Sequence, residues 1–121
     1  MSLANIGLII FNAITLVTGQ FLWKIGLERK VNPFESLRSI IELIFSPFIL
    51  SGLVLYGLTT VLWLFILTRV QISVAYPMQS FAYLISVFGA YFIFGESLSW
   101  MKIAGCLVIL IGVAMVGFSA K

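Results

Sequence analysis

The chain has 121 residues, of which 62% are apolar and 9% are charged, with seven Lys/Arg against four Asp/Glu. Soluble domains carry roughly 25% charged residues, so a water-facing globular surface is excluded, and the apolar bulk excludes disorder. The single cysteine, Cys106, and the absence of histidine exclude a disulfide framework, a thiolate or imidazole metal site within one chain, and histidine acid/base chemistry.

The charges fall at Lys24, Glu28, Arg29, Lys30, Glu35, Arg38, Glu42, Arg69, Glu96, Lys102 and Lys121. They leave four charge-free runs, 1–23, 43–68, 70–95 and 103–120. Each can supply the roughly 20 apolar residues that cross a bilayer core. The mean hydropathy of +1.20 agrees. The expected fold is therefore an all-α membrane protein, a single four-helix transmembrane domain over residues 1–121. It leaves no length for a soluble catalytic domain, and no enzymatic activity is expected. The first run has no basic segment before it and no small-residue cleavage site, so it is read as a retained span rather than a signal peptide.

The first span is predicted from about Leu3 to Leu27. The hydrophilic stretch Glu28–Ser46 follows. Within it, Asn32-Pro33-Phe34-Glu35 reads as a helix start, with Asn as cap and Pro at the first helical position. Phe34, Leu37, Ile41 and Ile44 then recur opposite Glu35, Arg38, Ser39 and Glu42, the pattern of a short amphipathic helix in the membrane interface. Ser46-Pro47 stops it and opens the second span, about 47–68. A tight connection from Arg69 to Ser73 leads to the third span, about 73–95, which Pro77 bends by removing one backbone donor. Gly95-Glu96-Ser97-Leu98-Ser99 is the last loop, with Ser97 or Ser99 available as cap. The fourth span covers about 99–119, with Trp100 and Lys102 at one interface and Lys121 at the other.

The two connections on one side carry Lys24, Arg29, Lys30, Arg38 and Lys102; the opposite side carries Arg69 and Lys121. This bias places both termini outside, with dual insertion as the alternative.

Polar and small residues mark the inner faces. On the first span Asn5, Asn12, Thr15, Leu16, Gly19 and Trp23 share a face, flanked by Gln20 and Lys24, which are neighbours at i, i+4. On the third, Ser73, Tyr76, Pro77, Ser80, Leu84, Val87 and Tyr91 share a face. Together these residues suit a polar groove, while interhelical hydrogen bonding and a snorkelling Lys24 are the plainer alternatives. Trp63 reads as a belt or packing residue on the same grounds. Gly105 and Gly112, seven apart on the fourth span, allow close helix contact and form a candidate dimer seam. Glu96 sits where it favours the start of that span through the helix dipole. No carboxylate lies at mid-membrane.

Gly19-Gln20 with Lys24, Ala75-Tyr76-Pro77-Met78, and Phe94-Gly95-Glu96-Ser97-Leu98-Ser99 over the whole chain resemble the small multidrug resistance branch of the drug/metabolite transporter superfamily. Drug exporters of that branch carry a proton-exchanging glutamate in the first helix. If Lys24 is matched to the family lysine, that position here is Leu16, which cannot titrate. Gly19-Gln20 with Lys24, Trp63 and Tyr76-Pro77-Met78 with Ser80 look instead like the small flippase subunits for 4-amino-4-deoxy-L-arabinose–phosphoundecaprenol. The resemblance implies a multi-pass protein of the bacterial inner membrane that moves a lipid-linked aminosugar, in lipid A modification and polymyxin resistance.

The substrate-binding residues expected from the faces and the resemblance together are Asn12, Gln20, Lys24, Trp63, Tyr76, Ser80 and Tyr91. Lys24 would meet the phosphate, and Asn12, Gln20, Tyr76 and Ser80 the sugar hydroxyls. The implied partners are the lipid-linked sugar phosphate, membrane lipids, and a second copy or a similar small subunit. Nucleic acid, metal and cofactor are not expected, and no nucleotide-binding motif is present. Two other readings stay open. One is a small-cation or metabolite exporter, with Glu96 or a cage of Trp63, Tyr76 and Tyr91 replacing the lost carboxylate. The other is a membrane scaffold for a larger enzyme.

Overall fold

A computed structural model describes residues 3–30, 32 and 34–119, and the described residues are helical apart from short connections. The expected Pro33 and the interfacial Lys121 lie outside them. The helices are α1 (Leu3–Glu28), α2 (Leu37–Ile44), α3 (Pro47–Arg69), α4 (Ile72–Gln79), α5 (Phe81–Phe94) and α6 (Trp100–Ser119). Four stretches are long and apolar enough to cross a membrane: α1, α3, α4 with α5 taken together, and α6. The chain is a multi-pass membrane protein of four spans, as its charge-free runs predict, with α2 as a short extra helix.

The caps explain most of the boundaries. The Ser46 hydroxyl accepts from the Ile49 amide at 3.3 Å, with Pro47 behind it in the first turn of α3. Of the two candidate caps before α6, it is Ser99 whose hydroxyl accepts from the Lys102 amide, at 3.2 Å. Gly95 ends α5 in the left-handed conformation, φ 67°, which glycine adopts without steric cost. Only Val70 and Gln71 separate α3 from α4, the tight connection expected there.

Two expectations are corrected. The interfacial helix starts at Leu37, not at Asn32: Ser36 caps it by accepting from the Ser39 amide. Asn32 sits at φ 51°, a left-handed geometry that asparagine tolerates but that cannot open a right-handed helix. The apolar face of α2 (Leu37, Ile41 and Ile44) points away from the bundle, and only Leu43 is buried. The third span is not one bent helix over 73–95. Pro77 offers no donor to the preceding turn, and the chain closes with tighter bonds from the Ser80 amide to the Pro77 carbonyl (3.0 Å) and from the Tyr83 amide to the Ser80 carbonyl (2.9 Å). The span therefore divides at Ser80 into α4 and α5.

The main packing is α1 against α3. It is close because Gly19 and Gly52 face each other: a Cβ on Gly52 would lie 3.0 Å from the Gly19 carbonyl oxygen and collide with the Trp23 indole. Trp23 lies across this contact and donates from Nε1 to the Ile49 carbonyl at 3.1 Å. A second cluster joins Ile9 of α1, Ile66 of α3, and Val74, Ala75 and Met78 of α4. The α1–α3 pair thus forms the close-packed wall against which α4 and α5 are set.

Candidate functional site

Asn12 is the only fully buried side-chain amide among the described residues, at 0% exposure. Its Nδ2 donates to the Thr59 carbonyl at 2.8 Å, and its Oδ1 accepts from Gln79 Nε2 at 2.7 Å. The Thr59 hydroxyl in turn donates to Thr15 Oγ1 at 3.1 Å, and Thr15 donates to the Asn12 carbonyl at 2.9 Å. Buried polar groups of this kind are costly unless satisfied, and here each is satisfied across helices. The network pins α1, α3 and the end of α4 at one level.

Beside it lies a cavity of about 310 Å³ between α1, α3 and α4. Asn12, Leu16 and Gln20 line it from α1, Tyr56, Thr59, Thr60 and Trp63 from α3, and Tyr76 and Gln79 from α4. Its wall is aromatic, with Trp63 and Tyr76 edge to face at 6.4 Å. The Asn12 amide is held by the Thr59 carbonyl and Gln79, and the Thr59 hydroxyl by Thr15. The Gln20 amide and the Tyr56 and Tyr76 hydroxyls have no protein partner among the described residues, so they are free to meet a ligand. Tyr56 and Tyr76 are also exposed, which leaves the cavity open on the flank of the bundle. No lining residue is a carboxylate or a cation. The cavity is polar yet neutral, with Leu16 in its wall.

Of the seven expected residues, the structure brings Asn12, Gln20, Trp63 and Tyr76 together here. Lys24 lies one turn beyond Gln20, in a separate groove of about 380 Å³ with Phe21, Ser86, Glu96 and Lys102 among its lining. Its ammonium is 3.9 Å from Glu28, with both side chains about half exposed, 49% and 55%. Ser80 faces away from the cavity, into an apolar groove against α6 with Pro77, Tyr83 and Gly112. Tyr91 is exposed and stacks edge-on against Phe92 at 5.1 Å. Around Gly105 and Gly112 an added Cβ would meet nothing within 4 Å, so this stripe of α6 is open.

Tyr56, Thr59, Thr60 and Gln79 were not expected. The signal for three of them is present in the sequence: Tyr56, Thr59, Thr60 and Trp63 recur at spacings that put them on one stripe of α3.

The EamA-like transporter family matches residues 2–118. The chain belongs to that family. Among curated relatives, a protein of Enterobacter sp. (strain 638) is 40% identical over 69 residues, covering 57% of this chain and 64% of that protein. One of Pseudomonas aeruginosa (strain LESB58) is 37% identical over 75 residues, 62% of this chain and 65% of that protein. Both are named probable 4-amino-4-deoxy-L-arabinose-phosphoundecaprenol flippase subunit ArnE. A relative from Shewanella sediminis (strain HAW-EB3), 37% identical over 68 residues, 54% of this chain and 47% of that protein, carries the same name as subunit ArnF. The EamA-like chain thus spans less than two thirds of the length of each of these relatives. No solved structure matches it.

Proposed function

We propose that this EamA-like chain is a small flippase subunit of the bacterial inner membrane, which moves a polyprenyl-phosphate-linked aminosugar between leaflets. The observation that carries this reading is the neutral polar cavity. A sugar is recognised by hydrogen bonds and by stacking of its C–H face on aromatic rings, and Gln20, Tyr56, Tyr76 and Trp63 supply both. An opening on the flank lets the head enter while the polyprenyl tail stays in lipid. Lys24, one turn along α1, offers the cation for the phosphate.

The neutrality of the cavity weighs against the exporter reading. Exchange of a proton for a cationic drug needs a group that titrates beside the drug, and this cavity is lined by Leu16 and neutral polar side chains instead. The names of the relatives in Enterobacter and Pseudomonas point to the same substrate. A span set of four helices encloses little space, and a second copy or a similar small subunit would complete the path, with Gly105 and Gly112 at the seam.

Native mass spectrometry of the purified protein mixed with a bacterial lipid extract tests the reading. The expected result is selective retention of a polyprenyl phosphate sugar over bulk phospholipids. Retention of phospholipids in proportion to their abundance would refute it.

A further inference from the structure

The groove around Lys24 shares no lining residue with the neutral cavity, yet the two are consecutive along α1, because Gln20 and Lys24 are four residues, about 6 Å, apart on the helix axis. Its walls come from three spans: Phe21 and Lys24 of α1, Ser86 and Phe94 of α5, and Lys102 in the first turn of α6. Glu96 enters from the loop between α5 and α6. All three charged groups are underused by the protein itself. Lys24 reaches Glu28 only at 3.9 Å. The Lys102 ammonium spends one of its three donors on the Ser97 carbonyl, at 2.7 Å. Among the described residues, no cation lies within ion-pair distance of Glu96.

From this arrangement we propose that the groove is a headgroup site for a zwitterionic phosphate ester, in which Lys24 and Lys102 hold the phosphate and Glu96 holds a ligand ammonium. Two lysines lining one groove supply a cation for each of the two non-bridging oxygens of a phosphodiester. A carboxylate in the same space would repel that phosphate unless the ligand brought a positive charge of its own. The charge pattern therefore selects an amine-bearing head over a neutral one, a discrimination built from an attractive and a repulsive element together. Ser86 adds a hydroxyl for either group. The edge-to-face rings of Phe21 and Phe94, with centroids 5.4 Å apart, give the groove an apolar wall suited to a sugar ring or the first isoprene unit. A volume of about 380 Å³ is within the range of small-ligand sites, roughly 300–1,000 Å³. This assignment rests on the lipid-linked aminosugar reading, and adds to it a separate capture station and the groups that tell an amine from its absence.

The test compares two lipids on purified protein by native mass spectrometry: a polyprenyl phosphate bearing a 4-amino sugar, and the same lipid with the amine acylated and so uncharged. Wild type should prefer the free amine by about tenfold, and Glu96→Gln should erase that preference. Lys102→Gln and Lys24→Gln should each weaken both lipids by about tenfold or more, the scale of one charge-assisted bond. Lys102→Arg, which keeps the charge, should retain most of the binding and shows that Lys102→Gln is not simply misfolded. Soluble phosphoethanolamine should displace the lipid only in large excess; displacement at equal concentration would mean a soluble phosphate ester and overturn the lipid assignment. If wild type binds both lipids but Glu96→Gln keeps the amine preference and Lys102→Gln keeps full affinity, the groove assignment fails alone. If wild type binds neither lipid, the flippase reading falls with it.

Discussion

Gln79, the last residue of α4, donates its side-chain amide to Oδ1 of Asn12 on α1 at 2.7 Å. The bond joins the first half of the third span, just before its division at Ser80, to the α1–α3 pair. Asn12 is thereby a brace between helices as much as a lining residue, since its other end is held by the Thr59 carbonyl.

Asn12→Leu, close in volume, should remove the second bond to the Thr59 carbonyl, which keeps its bond within α3, and leave the Gln79 amide without its partner. The expected destabilisation is about 1–2 kcal/mol, the lower part of the usual range because unfolded helices in lipid also find partners. Gln79→Leu should cost less, because the Asn12–Thr59 bond survives. Detergent-denaturation midpoints of the two variants check the order; equal effects would show that Asn12 does not hold both helices.

Gly52→Ala tests the α1–α3 contact. The new methyl would press on the Gly19 carbonyl, which cannot yield without moving α1, and on the Trp23 indole, which would lose its bond to Ile49. A loss of about 1–3 kcal/mol is expected from such overpacking. Gly57→Ala, where nothing lies within 4 Å, is the matched control and should be neutral in the same denaturation assay.

The four spans are legible in the sequence because charges are expensive in hydrocarbon, so the eleven charged positions alone mark the ends. Half of the site is legible for a similar reason: Asn12, Gln20 and Tyr76 are polar groups that an apolar span would not otherwise tolerate. The rest is lost at Ser80. Placing Tyr76, Ser80 and Tyr91 on one face assumes an unbroken helical phase, and the tight bonds at Pro77–Ser80 reset that phase. Ser80 consequently turns toward α6 and Tyr91 toward the outside, while Gln79 reaches Asn12. The i, i+4 neighbourhood of Gln20 and Lys24 suggests one shared site, but one further turn along α1 Lys24 lines a separate groove with residues of α5 and α6. At the interfacial helix, local propensity favours Asn32 as cap and does not reveal its left-handed φ; Ser36 caps the helix instead.

Tyr76→Phe removes one free hydroxyl from the cavity and keeps the edge-to-face contact with Trp63. Binding of a lipid-linked sugar should weaken by about two- to tenfold, the scale of one neutral hydrogen bond. Tyr91→Phe, outside the cavity, should have no effect. Titration of both variants with the lipid by native mass spectrometry separates the two; equal weakening would place Tyr91 in the binding path.

Gly112→Leu should shift the detergent-solubilised protein from dimer toward monomer, measured by light scattering. Open space around this glycine means the fold of one chain should be preserved, so the change reads the seam and not stability. An unchanged dimer would remove α6 from the interface.

The two transport readings part most directly in one competition experiment, in which purified protein binds a polyprenyl-phosphate-linked aminosugar while a quaternary ammonium drug is titrated in and proton release is followed. A cavity lined by Leu16 and neutral polar groups predicts that the lipid binds, that the drug does not displace it, and that no proton is released. Tight drug binding with release of about one proton, and no lipid binding, would contradict the flippase reading and restore a cation exporter.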